Sequence, residues 1–509
     1  MPMLNQIDLS KKTPKDTYAK QFDKKSAELG YLGRALRDAK VPVIILFEGF
    51  RGTYRGKLIN KVISALDPRG FRVYSASKTT ERQKMSPFFT QFWKELPPMG
   101  GISIHHRAWY FLRNEHDVGD PDEAAEWYNV PFHEINDFER TLYLGGYRII
   151  KLFTHISQKQ QEKNIAKDKD SLGSRWEALT PAGIEGVDYK AYRNVYEKML
   201  TETNTVYAPW HVIPMEDVRT GILETMDVLI SEFKAALSAA ETQKESSQAP
   251  LSYASDPSIP SILARYDCNK DMDEKTYDEK LKKYQKRLAE LQVELAKRKI
   301  STVVAFEGWD AGGKGGAIRR LTSALDPLGY KVNPVSAPND IEKAYHYLWR
   351  FWTKIPEPGE IAVFDRTWYG RVLVERVEHF TPVKDWKRGY EEINEMEEEW
   401  AKQGFIVQKF WMHIDPDEQF RRFKAREEDP DKTWKITAED WRNRDKWDAY
   451  VDAVNEMLYR TDTPYAPWTV VEGNNKYYAR LKVMSTMIDR MEKALAAVDD
   501  KAGSKAKKG

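Results

Sequence analysis

The sequence contains a single cysteine, Cys268, among its 509 residues. This scarcity excludes an internal disulfide framework and any cysteine-rich metal site, and it suits a reducing cytoplasm, where we expect the protein. Long apolar runs are also absent, since the longest one near the start covers only residues 41–47 and is far too short to cross a bilayer. The opening segment MPMLNQIDLSKKTPKD has no apolar core of the signal-peptide type. A secreted or membrane-embedded protein is therefore not expected.

An excess of charge of either sign is missing as well, because 80 Lys and Arg residues face 78 Asp and Glu residues. Without a net basic field or a recognised nucleic-acid-binding module, DNA or RNA binding is not expected, and any anion site must come from local clustering. A hydrophobic fraction of 41% and a charged fraction of 31% are typical of a folded protein. The length suggests two to four domains.

The chain repeats itself. The segment that begins at Val43 aligns without a gap with the segment that begins at Thr302, at an offset of 306 − 47 = 259 for a shared phenylalanine. The register holds as far as Tyr110, with 22 identities in 68 pairs, and later motifs such as YAPW resume at an offset of 258. Two unrelated domains that share one loop would not keep register across so many motifs. We therefore predict that one ancestral domain of about 230 residues occurs twice.

The joint between the two copies is visible in the composition. Residues 238–261 are rich in Ser, Ala and Pro, as linkers are. The charged stretch 275–299, with leucines at three- and four-residue spacings, predicts an amphipathic helix that leads into the second copy. The predicted organisation is a first domain over 1–240, a linker over 241–272 and a second domain over 273–509.

Within each copy, short apolar runs alternate with helical segments. In the second copy, 301–306, 361–364 and 406–413 predict strands, and a glycine-rich turn leads from the first of them into a helix over about 315–325. This alternation indicates an α/β domain with a parallel sheet flanked by helices. The charged stretch 418–459 predicts helices that cover the sheet.

The strongest local signal is the glycine-rich loop between a predicted strand and a predicted helix. Residues 308–314, GWDAGGK, fit the G-x4-G-K pattern of a Walker A phosphate-binding loop. Glycines let successive backbone N–H groups turn toward one anion, the helix N-terminus adds positive charge, and the lysine supplies a full charge. A merely structural glycine-rich turn is the alternative. The predicted phosphate-binding residues are Gly308, Gly312, Gly313, Lys314, Gly315 and Gly316.

The loop lacks the Ser or Thr that usually follows the lysine and helps to hold Mg²⁺. It carries a carboxylate instead, Asp310, and a second carboxylate, Asp365, ends the next apolar strand. Because Mg²⁺ prefers carboxylate and phosphate oxygens, we predict that these two side chains hold the metal together. The alternative is that Asp310 caps a helix and Asp365 is a turn residue.

Several arginines are placed to meet phosphate. Arg366 and Arg371 follow the second carboxylate, at the strand end where ligands bind in doubly wound sheets, and a guanidinium grips phosphoryl oxygens bidentately. A helical ion pair with Glu375 is the competing use of Arg371. In the covering helices, Arg422 and Arg426 lie one helical turn apart and are expected to face an anion together.

Aromatic residues and a histidine near these positions receive a structural interpretation. We expect Trp434, Trp441 and Trp447 to pack in the protein rather than to stack on a base. His413 ends an apolar strand, and no second His or Cys stands near it at metal-ligand spacing, so we expect a structural role for it.

The first copy differs from the second at most of these positions. The aligned residues are Arg51 for Asp310, Thr53 for Gly312, Tyr54 for Gly313, Arg55 for Lys314, His106 for Asp365, Asn164 for Arg422 and Asp168 for Arg426. Both candidate metal carboxylates and two loop glycines are therefore absent from it. Motifs kept in both copies, such as YAPW, are architectural in this interpretation. We predict that the first copy is catalytically inactive.

Several motifs of the second copy, taken in order, resemble the type 2 polyphosphate kinases. They cover about 301–491 and read EGWDAGGKGGAIRRL, FDRTWYGRVLVERVEHF, KFWMHI, RRFKAREEDPDKTWK and TPYAPW, with a decayed likeness in the first copy. The resemblance implies two tandem thymidylate-kinase-like P-loop domains with a helical lid. It also implies Mg²⁺-dependent transfer of a terminal phosphoryl group between inorganic polyphosphate and a nucleotide.

The resemblance assigns roles to individual residues and suggests the subclass. Fused members with a degenerate first half resemble those that phosphorylate AMP to ADP, so we expect that activity. The alternatives are a polyphosphate-dependent nucleoside diphosphate kinase that makes ATP or GTP, an ATP-dependent nucleoside monophosphate kinase, and a polyphosphate-binding scaffold without catalysis. A homo-oligomer is also possible, with the first copy as a built-in dimer partner. The implied catalytic residues are Asp310, Lys314, Asp365, Arg366, Arg371 and Arg426.

Overall fold

The computed structural model describes residues 2–76, 80–118, 126–172, 189–246, 256–430, 433 and 436–506. The described residues form two compact units, the first drawn from 1–84, 88–249 and 339–349, and the second from 85–87, 250–338 and 350–509. The predicted domain boundaries, 1–240 and 273–509 with a linker over 241–272, stay a prediction.

Five strands form the sheet of the first unit, in the order β2-β3-β1-β4-β5, and every neighbouring pair is parallel. All seven residues of the central strand are buried, because its Val, Ile, Leu and Phe side chains are covered on both faces of the sheet. The strands are β1 (Val43–Gly49), β2 (Phe71–Tyr74), β3 (Ile102–His106), β4 (Arg148–His155) and β5 (Trp210–Pro214).

The sheet of the second unit repeats this arrangement in the order β7-β8-β6-β9-β10, again with parallel neighbours. The strands are β6 (Thr302–Gly308), β7 (Tyr330–Pro334), β8 (Ile361–Asp365), β9 (Ile406–His413) and β10 (Trp468–Glu472). Strand for strand, the order matches that of the first unit. The predicted tandem α/β fold with two parallel sheets is confirmed.

Helices flank both sheets. Those in the first half of the chain are α1 (Lys15–Asp38), α2 (Arg55–Ile63), α3 (Glu81–Lys84), α4 (Thr90–Lys94), α5 (Trp109–Val118), α6 (Phe132–Leu144), α7 (Gln158–Leu172), α8 (Tyr189–Glu202) and α9 (Val218–Ser246). Those in the second half are α10 (Glu274–Arg298), α11 (Lys314–Thr322), α12 (Asp340–Lys343), α13 (Trp349–Trp352), α14 (Val374–Val377), α15 (Val383–Lys402), α16 (Pro416–Glu427), α17 (Ala438–Asp445), α18 (Trp447–Thr461) and α19 (Lys476–Ala506). Short 3₁₀ turns lie at Met3–Gln6, Glu126–Tyr128, Leu263–Arg265, Pro327–Gly329 and Trp368–Arg371.

The predicted amphipathic helix before the second sheet is α10, and the structure shows what it buries. Asp273 caps its first turn by accepting a hydrogen bond from the Thr276 N–H. Its leucine stripe, Leu288, Leu291 and Leu295, is at most 1% exposed and lies in one cluster with α11, the sheet and α19. Burying each such leucine stabilises the fold by roughly 2 kcal/mol, so this stripe holds the helix in place.

A buried polar network recurs at the same place in both units. In the second unit, the Lys409 Nζ donates to Glu397 Oε2 at 2.6 Å, and Tyr369 and Trp368 both donate to Glu397 Oε1 at 2.8 and 2.9 Å. Burial raises the pKa of Glu397 and lowers that of Lys409, while their mutual attraction opposes both shifts. The first unit builds the same network from Lys151, Glu139, Tyr110 and Trp109. The residues kept in both copies therefore include a buried hydrogen-bond network that supports the fold.

Candidate active site

The glycine-rich loop connects β6 to α11, as the sequence predicts. Gly308 has a φ of +147°, and a Cβ there would lie 2.5 Å from the Met412 carbonyl oxygen, so β9 approaches too closely for any side chain. Gly313 has a φ of +105° at the N-terminus of α11, and Gly315 and Gly316 form the first turn of that helix with Lys314. A Cβ on Gly312 would lie 2.8 Å from the Trp309 carbonyl oxygen. The glycines therefore allow a tight backbone turn that side chains would prevent.

Lys314 lies over this loop. Its Nζ donates to the carbonyl oxygens of Gly308 at 2.6 Å and Trp309 at 3.2 Å. A full positive charge is thus placed beside the backbone N–H groups at the start of α11, which is the arrangement that suits a phosphate group.

The two candidate metal carboxylates lie at the same edge of the sheet. Asp365 ends β8, which pairs directly with β6, and it stands opposite Phe306 in the register. Asp310 lies four residues beyond Phe306, in the loop, and its Oδ1 is 3.5 Å from the Nη2 of Arg366. The structure therefore brings Asp310, Asp365 and Arg366 together at the carboxyl ends of adjacent strands, where ligands bind in such sheets.

A buried glutamate fixes the turn that carries Arg366. Glu307 accepts hydrogen bonds from the Thr367 N–H at 2.7 Å and the Thr367 hydroxyl at 2.8 Å. Arg366 has a φ of +62°, an unfavourable conformation that the flanking hydrogen bonds maintain. Burial raises the pKa of Glu307, and the attraction of Lys314 and Arg366 opposes that shift. Glu48 holds the equivalent turn in the first unit, so this residue supports the fold in both copies.

Arg371 forms the ion pair with Glu375 that is the alternative to a phosphate contact, although the two residues lie in separate short helical turns. Its Nη1 lies 2.9 Å from Glu375 Oε2 and donates to the Thr381 hydroxyl at 2.6 Å, and that hydroxyl donates in turn to Glu375. The Arg371 side chain is only 16% exposed. Its predicted phosphate contact stays a prediction, and the structure shows that the side chain also braces the segment after β8.

Arg422 is buried and binds backbone carbonyls. Its Nη1 donates to the Ala311 oxygen at 2.8 Å, and its Nη2 donates to Gly473 at 2.6 Å and Asn474 at 3.2 Å. Its Nε donates to Glu418. Arg422 therefore ties the glycine-rich loop to α16 and to the turn after β10.

Helices α16 to α18 cover the loop and contact the candidate carboxylate. Asn443 of α17 donates to Asp310 Oδ2 at 2.9 Å, a contact that the sequence did not indicate. Trp447 stacks on Trp309 with ring centroids 3.8 Å apart, and the Trp309 N–H donates to His413 Nδ1 at 3.1 Å. Burial lowers the pKa of His413 to about 4, so this ring is a neutral acceptor. Both aromatic contacts are packing contacts, as expected.

Two further tryptophans and one arginine complete the set of predicted residues. Trp441 packs edge-on against Phe423 at 5.1 Å, and Trp434 lies outside the described residues. Arg426, near the end of α16, lines a pocket beside the glycine-rich loop. Lys476 and Arg480 of α19 line the same pocket, and the sequence analysis did not single them out. An alignment of the two copies through the last helix would have identified both residues.

In the first unit, side chains form hydrogen bonds to the loop at the equivalent place. Thr53, at the position of Gly312, donates to the Phe50 oxygen at 2.9 Å and lies 2.9 Å from the Thr154 hydroxyl. Arg55, at the position of Lys314, is buried and donates to the Gly49 oxygen at 2.9 Å. Asn164 donates to the Gly52 oxygen at 2.8 Å, where Arg422 binds in the second unit. Arg55 thus makes the carbonyl contact that Lys314 makes in the second unit, whereas Thr53 and Asn164 replace a loop glycine and the arginine of the covering helix.

Two features of the described residues bear on the remaining expectations. No group of three or more His, Cys, Asp and Glu side chains in the described ranges is arranged to hold a metal ion. None of the described helices is both long enough and apolar enough to cross a membrane. Location in the cytoplasm and association into oligomers stay predictions.

Comparison with known proteins gives a match over most of the chain. The model of the family Polyphosphate kinase 2 (PPK2) matches residues 12–241 and again residues 271–498. The family model thus recognises both copies, including the first one.

Full-length relatives share the tandem arrangement. A Polyphosphate:AMP phosphotransferase of Pseudomonas aeruginosa is 39% identical over 501 residues, which are 97% of this chain and 99% of the relative. A second protein of that name, from Pseudomonas syringae pv. tomato, is 36% identical over 90% of this chain and 92% of its own. A crystal structure described as polyphosphate kinase 2 of Pseudomonas aeruginosa superposes with a TM-score of 0.85 at 37% identity, covering 97% of this chain and 99% of that one.

Proposed function

The chain belongs to the polyphosphate kinase 2 family, and we propose from this premise that it is a phosphotransferase that moves the terminal phosphoryl group of inorganic polyphosphate to AMP, giving ADP. The observation that carries the proposal is the match over nearly the whole chain to relatives named for that activity. The names of these relatives favour AMP over nucleoside diphosphates as the proposed acceptor.

The geometry of the second unit supports this chemistry. Phosphoryl transfer requires donor and acceptor oxygens in line and neutralisation of the charge on the transferred group, and little covalent help from the protein. Lys314 and the N–H groups at the start of α11 would hold the reacting phosphates of the donor. Arg366, whose side chain is 54% exposed at the same strand edge, would contact phosphoryl oxygens from the side of β8. Arg426 would approach from α16.

The residues present fit a magnesium ion. Mg²⁺ is commonly bound through one or two carboxylates together with substrate phosphates and waters, so a set of three protein ligands is not needed. Asp310 and Asp365 supply two carboxylates at the carboxyl ends of adjacent strands. When bound, the ion would supply charge neutralisation on the phosphoryl oxygens. Asn443 and Arg366 would orient the Asp310 carboxylate toward it.

The first unit would take no part in catalysis. At the positions of the two candidate carboxylates it carries Arg51 and His106, and burial lowers the pKa of His106 to about 3, so that ring is neutral. Neither side chain is a ligand of the kind that Mg²⁺ prefers. The Thr53 side chain, which stands at the position of Gly312 and donates to the Phe50 oxygen, supports the same conclusion.

The proposal is tested with the purified full-length chain, Mg²⁺ and polyphosphate, with AMP, ADP and GDP supplied in turn and the products quantified by chromatography. We expect ADP from AMP at a rate well above those with ADP and GDP. A second series replaces polyphosphate by ATP and is expected to give little product. Faster turnover of ADP or GDP, or ATP as the better donor, would contradict the proposal. The Lys314→Met variant serves as the background control.

A further inference from the structure

The part of the first unit that corresponds to the candidate active site carries a cluster of basic side chains. At four positions the second unit has two carboxylates, one lysine and one arginine, whereas the first unit has three arginines and one histidine. Arg107 stands at the position of Arg366 by the offset of 259 (366 − 259 = 107). The four residues of this basic cluster are Arg51, Arg55, His106 and Arg107.

The backbone presents these side chains at the same edge of the sheet as in the second unit. His106 ends β3 and stands opposite Phe47 of β1 in the register. The Arg107 N–H donates to the Phe47 oxygen at 3.3 Å, and the φ of Arg107, +71°, is close to the +62° of Arg366. Arg55 is the first residue of α2. The basic cluster therefore lies at the carboxyl ends of adjacent strands, where ligands bind in parallel sheets.

The members of the basic cluster act on one another electrostatically. Burial, together with repulsion from Arg55 and Arg107, lowers the pKa of His106 to about 3, so this ring is neutral. Burial and repulsion from Arg51 lower the pKa of the Arg55 guanidinium, and attraction by the buried Glu48 opposes that shift. Arg107 acts on Glu48 as well. Three arginine charges thus meet one buried carboxylate.

Arg51 differs from the other two arginines in its hydrogen bonds. Its Nη1 is buried and has no hydrogen-bond partner in the part of the chain that the structure describes. The Arg55 guanidinium, in contrast, donates to the Gly49 oxygen at 2.9 Å, and the Arg107 guanidinium lies over the Phe111 ring at 4.7 Å. A buried donor without an acceptor is unfavourable, and an anion bound beside Arg51 would satisfy it.

The exchange of residues places fixed positive charge where the second unit would use a metal ion. In the second unit, two carboxylates and two cations cancel, so the proposed Mg²⁺ would supply the net positive charge that attracts phosphate. In the first unit, three guanidiniums and a neutral ring carry that charge themselves, and both units have one buried glutamate, Glu48 or Glu307. A guanidinium also matches the geometry of two phosphate oxygens. The basic cluster therefore suits phosphate without a metal ion.

We propose that the basic cluster is a metal-independent binding site for a phosphate group, with Arg51 and Arg107 as its ligands. This inference goes beyond the proposed function, because it assigns ligand binding to the unit that would take no part in catalysis. Inorganic polyphosphates and nucleotides share this phosphate chemistry, and the experiment distinguishes the two sources.

The test uses a readout that is local to the first unit. Amide hydrogen exchange of residues 50–58 is followed by mass spectrometry in the full-length chain with EDTA, during titration with triphosphate and, separately, with AMP. We expect saturable protection of this segment. Arg51→Met is expected to shift the titration to roughly tenfold higher concentration, the effect of one lost charge-assisted hydrogen bond, and Arg51→Asp to shift it further. Arg51→Lys keeps the charge and is expected to retain most of the affinity.

Arg69→Met is the matched control. Arg69 lies in the same unit, is 82% exposed and pairs with Asp67, so its loss tests for an effect of charge alone. Protection by triphosphate at lower concentrations than by AMP identifies inorganic phosphates as the ligand, and the reverse order identifies nucleotides. Absence of protection in EDTA overturns the site, and so does an unaltered titration in Arg51→Asp or an equal shift in Arg69→Met.

The outcome is independent of the proposed function, because neither AMP phosphorylation nor a metal ion is needed for the titration. Thermal unfolding of Arg51→Met is expected to match that of the unaltered chain, since no hydrogen bond of the Arg51 Nη1 is lost. ADP formation by Arg51→Met at saturating AMP and polyphosphate is also expected to be unaltered. A chain that shows the protection but forms no ADP would contradict the proposed function and leave the phosphate site intact.

Discussion

Arg422 offers a sharp test because the sequence and the structure give it different roles. The spacing of the covering helix predicts that Arg422 faces an anion together with Arg426, and both line the pocket beside the loop. The structure also shows that the Arg422 guanidinium binds three backbone carbonyl oxygens. Replacement by methionine keeps most of the aliphatic stem and removes all of these hydrogen bonds. It also leaves Glu418 with one partner, Arg421, instead of two.

The expected loss follows from burial. Arg422 is 5% exposed, and the carbonyl oxygens of Ala311 and Gly473 would lose their charged donor. A hydrogen bond to a charged group contributes about 1.5–3 kcal/mol, and breaking a buried ion pair costs about 3–5 kcal/mol. Because these contributions overlap, we expect Arg422→Met to lower the free energy of unfolding by about 3–5 kcal/mol. Turnover is expected to fall about 100-fold, since the loop would no longer be held in position.

The measurement is chemical denaturation followed by tryptophan fluorescence, together with ADP formation from AMP and polyphosphate. Arg421→Met is the matched control, because Arg421 pairs with the same Glu418 from a position that is 65% exposed. Its loss is expected to cost no more than about 1 kcal/mol. Arg422→Lys is not expected to rescue, since one ammonium cannot span the same carbonyls as the planar fork. If Arg422→Met has normal stability but a raised KM for polyphosphate, the structural role of Arg422 is refuted. Its predicted role in facing an anion is then supported.

Five other substitutions test three further predictions. Asp310→Asn and Asp365→Asn are each expected to abolish metal-dependent turnover while changing the free energy of unfolding by less than about 1 kcal/mol; retained activity in both would contradict the metal assignment. Lys314→Met is expected to remove all activity of the full chain and Arg55→Met none, measured as ADP formation, because we propose that the first copy takes no part in catalysis. Burial lowers the pKa of His413 from 6.5 to about 4, so the unfolded chain binds a proton between those values that the folded chain does not. Stability is therefore lost as the pH falls from about 6.5 to 4, by up to about 3 kcal/mol, and His413→Gln, measured by denaturation at pH 7 and 4.5, is expected to lose less.

The sequence predicted the fold well because the two copies can be aligned with each other. Runs such as 43–47 and 303–306 are apolar throughout, as buried parallel strands are, and their shared register aligned the two copies. The loop from Gly308 to Lys314 was placed correctly for the same reason, since its glycines and its lysine stand between a strand and a helix.

The parts of the site that the sequence did not indicate depend on distant contacts. Asn443 reaches Asp310 across 133 positions of the chain, and Arg422 reaches Ala311 across 111, so no local spacing predicts either contact. Lys476 and Arg480 begin a long amphipathic helix, where cations are ordinarily solvated. Only their replacement by apolar residues in the first copy distinguishes them, and that comparison needs the register of the last helix.

The closed loop of the first copy has a consequence for its history. In the first copy, Thr53 stands at the position of Gly312 and hydrogen-bonds to the loop backbone. Asn164 stands at the position of Arg422 and also hydrogen-bonds to that backbone. Replacing Arg51 and His106 by acids would not restore the loop while Thr53 remains. Replacing Thr53 alone by glycine would remove its hydrogen bonds without restoring a metal carboxylate. Each of these replacements therefore makes reversal of the others costly, as in an evolutionary ratchet.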